Sequence, residues 1–164
     1  MPEGETARAI AARDLRVRLG KAWGVDLSEA SDSLMLDSIE YHLFPNMFFF
    51  PGIMVPMVYR FRPNGDDVDS SIFDVLVLEP LPDGTDHPEP PEPIHLGVEQ
   101  SYTEAEELGW LAPVYDEDTG NLDLQTRGLK TSRKGLSLGN YQEARIRRVH
   151  RSIDEFLSDR RPFR

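Results

Sequence analysis

The densest group of side chains able to do chemistry in this 164-residue chain is acidic: Asp116, Glu117 and Asp118 in succession, then Asp123. If the segment is one helix, Asp118 and Asn121 are three apart and Asn121 and Gln125 four apart, so all three share a face. A carboxylate and two amides turned toward the protein body are costly unless they bind a metal, a ligand or one another. The plainer reading is an acidic first turn favoured by the helix dipole; both readings stand. Imidazole is scarce. His42, His87, His95 and His150 are the only histidines, and no HxH, HExxH or HxxxxH spacing occurs. His42 reads as a half-buried strand residue, His87 and His95 as solvated loop residues, and His150 as a surface or packing residue among arginines. There is no cysteine, which excludes thiolate metal sites, disulfides and thiol nucleophiles. A G-x-S-x-G elbow and a P-loop are both absent. The basic stretch RGLKTSRKG (127–135) lacks the Walker glycine spacing and reads as a solvated helix C-terminus.

The elements that must position these groups follow from hydrophobic period. Residues 3–23 predict a helix, with Ala7, Ile10, Ala11, Leu15, Leu19 and Trp23 at spacings of three and four, Glu3 and Glu5 in its first turn and Gly24 as its stop. Ser31 is positioned to cap a short second helix carrying Leu34, Met35 and Ile39. From Ile39 to Arg62 aromatic and β-branched residues predict two strands broken at Pro51–Gly52, with Pro45 and Pro56 at edges, bulges or strand ends. PNGDD (63–67) is a turn signal, and Ser70–Leu78 a third strand of an antiparallel meander. Residues 80–93 hold six of the thirteen prolines and predict an extended acidic surface loop. A short helix is expected over Tyr102–Leu108 and a helical segment over Ala112–Thr131. A final helix runs from about Leu138 to Ser158, with Ile146, Val149, Ile153, Phe156 and Leu157 as its apolar stripe and arginines on its other faces.

Length fits one domain. Eighteen Lys and Arg against 29 Asp and Glu give a net charge of −11, which argues against nucleic acid or an anionic membrane as a partner. No apolar run reaches the roughly 20 residues of a membrane span, and MPEGETARAI has no apolar core of a signal peptide, so a cytoplasmic location is expected. Three strands with runs such as MFFF and VLVL need covering. Each large apolar side chain left exposed forfeits roughly 1.5–3 kcal/mol, and a short meander has two open edges. The pattern fits part of a larger sheet, or one completed by a partner, better than a small complete α+β domain.

Four motifs, in order, carry a family resemblance. YHLFPNMFF (41–49) resembles the "FPN" strand in the catalytic domain of Rieske-type ring-hydroxylating oxygenase α subunits. VYRFRPNGDD (58–67) and SSIFDVLVLEPLP (70–82) are similar to its next two strands. VYDEDTGNLDLQTRGLK (114–130) resembles its "QD-x-x-N-x-x-x-Q-x-G-L" helix, and GNYQEARIRRVHRSIDEFL (139–157) its closing helix. The match spans roughly residues 35–158.

The resemblance implies an α+β, partial helix-grip (SRPBCC, Bet v 1-like) fold: an antiparallel sheet packed on a long C-terminal helix. Residues 1–34 would form a helical lead-in and 35–164 the C-terminal half of the catalytic domain. In that family a mononuclear Fe(II) is held by two histidines and one carboxylate. The carboxylate lies three residues before the motif asparagine, which places it at Asp118, with Asp116 and Asp123 as rival assignments; Glu117 stands where the family often has Gln. Asn46, Phe48 and Met57 are the expected pocket-lining residues, with core packing as their alternative. The paired histidines and the [2Fe–2S] Rieske domain lie upstream of any matching position here. The chain is therefore expected to be a truncated product, a split gene or a fragment starting at an internal Met, inactive alone. The intact enzyme would hydroxylate an apolar, usually aromatic substrate with O2 and electrons from NAD(P)H. Those electrons would arrive through a reductase or ferredoxin; the resemblance also allows a trimer-type homo-oligomer for the intact enzyme, completed by the upstream α-subunit segment. The alternatives are a non-catalytic helix-grip module for an apolar ligand, or a subunit that completes its sheet with another chain. An enzyme fragment should aim Asp118 into a cavity beneath the sheet; a carrier should leave it in solvent or paired with an arginine.

Overall fold

A computed structural model describes residues 4–82 and 84–158. The architecture is mixed α+β, with helices and one four-stranded antiparallel sheet. The chain divides into two compact units, residues 1–93 and 94–164.

The first unit opens with α1 (Ala7–Trp23). Thr6 caps it by accepting from the Ala9 N–H at 3.1 Å, and Gly24 ends it at φ +67, a left-handed position that suits glycine. The helix thus starts later than the hydrophobic period predicts. Glu5 lies outside it and forms a bidentate pair with Arg13 (2.7 and 2.8 Å), and Glu3 lies outside the described residues. The position it buries completely is Ala12, whereas Ala7 and Ala11 of the expected stripe are exposed. Ser31 caps α2 (Asp32–Leu36) through the Leu34 N–H, as expected, and Met35 is fully buried. Two ion pairs tie α1 to the α2 region. Arg8 grips Asp37 bidentately at 2.8 and 2.7 Å, and Arg16 reaches Asp32 at 2.5 Å and the Ala30 carbonyl at 2.7 Å.

The sheet is a meander of β1 (Tyr41–Leu43), β2 (Met47–Phe49), β3 (Met57–Asn64) and β4 (Asp67–Val77). Four strands replace the expected three. The segment before Pro51 folds into its own hairpin about Phe44–Pro45, and three-residue strands are too short to show a period. Pro45 lies in that hairpin turn and Pro56 just precedes β3, where a missing donor costs no ladder bond. Pro63 is inside β3, where the β3–β4 register shifts between Pro63 and Asn64. Side chains stitch that irregularity: Asn64 donates to Ser70 Oγ (3.0 Å), and Ser70 donates to Asp67 (2.7 Å). Gly65, at φ +60, turns the hairpin. Among the described residues, 80–82 and 84–93 carry no helix or strand, as expected of the proline-rich loop.

The sheet register sorts side chains onto two faces. One carries His42, Phe48, Met57, Tyr59, Phe61, Phe73, Val75 and Val77; the other carries Tyr41, Leu43, Met47, Phe49, Val58, Arg60, Arg62, Ile72, Asp74 and Leu76.

In the second unit, short 3-10 turns at Tyr102–Glu104 and Glu106–Leu111 lead into α3 (Ala112–Thr119). Ala105, Leu108, Ala112 and Tyr115 form its small buried core. α4 (Leu122–Thr131) follows, then α5 (Ala144–Ser158), shorter than the expected helix from Leu138. Neither α4 nor α5 buries a single residue. The single helix expected over 112–131 is interrupted at Gly120–Asn121. The Thr119 hydroxyl donates to the Tyr115 carbonyl, and a Cβ on Gly120 would lie 2.9 Å from the Asp116 oxygen.

Candidate functional site

That interruption separates Asp118 from Asn121 and Gln125, which stay one turn apart with the Gln125 N–H on the Asn121 carbonyl at 3.0 Å. Asp118 is on α3, Asn121 in the break and Gln125 on α4. The acidic residues instead separate by what holds them. Asp116 is half-buried on the packed side of α3. Its carboxylate accepts from the Ser101 hydroxyl at 2.6 Å and from the Tyr102 backbone N–H at 2.9 Å, fastening the 3-10 turn to the helix. These bonds, the Ser101 hydroxyl foremost, hold its carboxyl below the ordinary aspartate value against the opposing effect of burial. Tyr102 adds a ring contact to Tyr115 at 5.4 Å. Asp123 pairs with Arg127 one turn along α4 at 2.7 Å, both side chains exposed.

Asp118 is different. It lies two residues, about 200° of helical turn, from Asp116, and it is exposed. Among the described residues neither it nor Glu117 makes a side-chain hydrogen bond or ion pair. Its exposure departs from the inward aim expected of an enzyme fragment and matches the solvent-facing position expected of a carrier.

The expected pocket residues lie in the first unit. Phe48 and Met57 share the aromatic sheet face. Phe48 stacks on His42 at 4.6 Å and meets Phe61 edge-on at 5.9 Å, and Met57 is buried. Asn46 is a structural pin: its side chain donates to the Phe61 carbonyl at 2.5 Å while its own carbonyl accepts from the Phe61 N–H at 2.9 Å. This locks the β1–β2 hairpin to β3. Tyr59, Phe61 and Phe73 extend the aromatic surface through ring contacts of 5.3 and 4.7 Å. Alternation in VYRFR and SIFDV was the available signal for them. A small cavity is lined elsewhere, by Ser31, Ser33, Leu34, Asp37, Ile39, Pro51 and Gly52. His42 is half-buried; His87, His95 and His150 are exposed.

Among the described residues no three His, Cys, Asp or Glu side chains converge as a metal-holding group. With one unpaired carboxylate and no cysteine, the residues present do not fit a mononuclear iron site or a [2Fe–2S] cluster on their own. No described helix is long and apolar enough to cross a membrane.

Comparison with known proteins adds no relative: no family model, no curated protein and no solved structure matches the chain.

Proposed function

We propose that this chain is the C-terminal part of the catalytic domain of a Rieske-type ring-hydroxylating oxygenase. The reading places it in a helix-grip fold that gains its iron site only when joined by the upstream α-subunit segment. The observation that carries the reading is the ordered run of four motifs, YHLFPNMFF, VYRFRPNGDD with SSIFDVLVLEPLP, VYDEDTGNLDLQTRGLK and GNYQEARIRRVHRSIDEFL. Asp116 and Asp123 are engaged inside the chain, while Asp118, at the position the family motif assigns to the ligand, is exposed and unpaired. That exposure departs from the inward aim expected of an enzyme fragment, and the reading assigns the missing pocket walls to the complementing segment. The uncovered α4 and α5 support the same reading. Large apolar residues on them, including Ile146, Ile153, Phe156 and Leu157, stay exposed. The chain would contribute one anionic ligand, while the imidazoles, the Rieske cluster and the electron path from NAD(P)H through a reductase or ferredoxin come from elsewhere.

Anaerobic reconstitution with Fe(II) tests this. The chain alone is expected to bind no stoichiometric iron at micromolar concentration and to consume no O2. Co-expression with the polypeptide encoded directly upstream is expected to give one tightly held iron per complex. Micromolar or tighter stoichiometric iron on the chain alone would refute the proposal.

A further inference from the structure

The sheet face opposite the aromatic one has a composition that neither a core nor a solvated surface explains. Tyr41 is 49 % exposed, Leu43 55 %, Ile72 37 % and Leu76 45 %. With Met47, Phe49 and Val58, which the same register places beside them, these residues make an apolar field across all four strands. Soluble proteins rarely leave such a contiguous field open unless it binds something.

At its centre lie three charges. Asp74 on β4 accepts from Arg60 Nε at 2.8 Å, from Arg62 Nε at 2.6 Å and from Arg62 Nη2 at 2.9 Å. Two guanidinium groups share one carboxylate, so the cluster keeps one positive charge. These bonds, Arg62 first, hold Asp74 well below the usual carboxylate range, so it stays the anion of the set. The surplus is localised. Arg60 spends only Nε on Asp74, and its two terminal amino groups make no hydrogen bond among the described residues. A planar fork of N–H donors in an apolar field fits a carboxylate. A purely apolar partner would bury that charge uncompensated, at a cost that opposes docking.

The charge count also decides against a second copy docked face to face. Asp74, the carboxylate opposite Arg60, is already shared by two arginines, so a two-fold pairing of the cluster would set surplus positive charge against surplus positive charge.

We propose that this face docks a different polypeptide, one that lays an apolar surface over β1–β4 and brings a single Asp or Glu onto Arg60. The inference stands on the sheet alone and is independent of the oxygenase reading. Arg60 would be the specificity determinant, Tyr41, Leu43, Ile72 and Leu76 the contact area, and Arg62 the residue that, by occupying both Asp74 oxygens, limits how far Asp74 competes with the incoming carboxylate for Arg60.

The test is photocrosslinking from the centre of the field. The full chain, with benzoylphenylalanine in place of Leu76, is irradiated in its own cells and the adduct mapped by peptide sequencing. The expected adduct joins a different protein within a few residues of an Asp or Glu on an apolar surface. The purified pair is then measured by titration. Arg60→Gln is expected to weaken binding about tenfold or more, as loss of one partner of a desolvated charge pair does. Changing the partner's carboxylate to the amide should give the same loss, with no further loss when both changes are combined. Arg60→Gln leaves the Arg62–Asp74 pair intact, so its thermal midpoint should stay at the wild-type value, which separates lost docking from lost folding. The proposal is overturned by an adduct to a second copy of this chain, by the absence of any adduct, or by a partner whose affinity ignores Arg60→Gln.

Discussion

The helix pair α1–α2 and the helix α5 relate pattern to burial in opposite ways. α1 has little amphipathic character, yet it is capped at both ends, buries Ala12 completely, and is tied by Arg8–Asp37 and Arg16–Asp32 to a partner that buries Met35 completely. α5 has a clear apolar stripe and buries nothing. Arg147 binds the Gly139 and Asn140 carbonyls, which fastens the N-terminal end of α5 to its own preceding loop. A stripe records what a helix is meant to cover, and caps and ion pairs record what already holds it. α1–α2 has its holding contacts inside the chain; α5 carries the pattern without the cover.

Substitutions sharpen this contrast. The largest effect is expected at Met35. Met35→Ala empties a fully enclosed site and should cost about 2–5 kcal/mol in denaturant unfolding of the full chain. Next comes Asp116→Ala, which strands the Ser101 hydroxyl and the Tyr102 N–H and should cost about 1–3 kcal/mol. Asp118→Ala, two residues away, should stay within about 0.5 kcal/mol of wild type.

A smaller effect is a pH dependence. The Arg8 guanidinium first, then the Ser33 hydroxyl, lower the Asp37 pKa to about 2. The unfolded value is about 4, so between the two the unfolded chain binds more protons and stability rises with pH. The contribution is complete above about pH 4 and fades as pH falls toward 2. Unfolding midpoints measured across that window should flatten in Arg8→Gln. An unchanged slope would show that the pair does not hold α1 to α2.

The smallest effect on the chain alone is expected at α5. Ile153→Asp should leave its unfolding free energy within about 0.5 kcal/mol, yet abolish association with the complementing segment. A loss of several kcal/mol in the isolated chain would mean that α5 is already packed, and the contrast with α1–α2 would disappear.

What could be read from the residues was local. The Ser31 cap, the Gly24 stop, the PNGDD turn, the proline-rich loop and the stripe of α5 each depend on a few adjacent side chains, and the structure has all of them. What could not be read depends on partners distant in sequence. Glu5 belongs to Arg13 rather than to a helix dipole. Gly120 ends α3 with its N–H on the Asp116 carbonyl, at a place where a Cβ would crowd that oxygen. The Arg60–Asp74–Arg62 cluster exists only in the β3–β4 register. In the acidic run the residue types were equivalent, and only the folded chain separates Asp116, held by Ser101 and Tyr102, from Asp118, held by nothing described.

The most direct measurement is the iron content of the complemented complex, prepared anaerobically with Fe(II), for wild type, Asp118→Ala and Asp123→Ala. One iron per complex in wild type and Asp123→Ala, with its loss in Asp118→Ala, is the expected result. Iron retained by Asp118→Ala would contradict the assignment of that carboxylate to the metal.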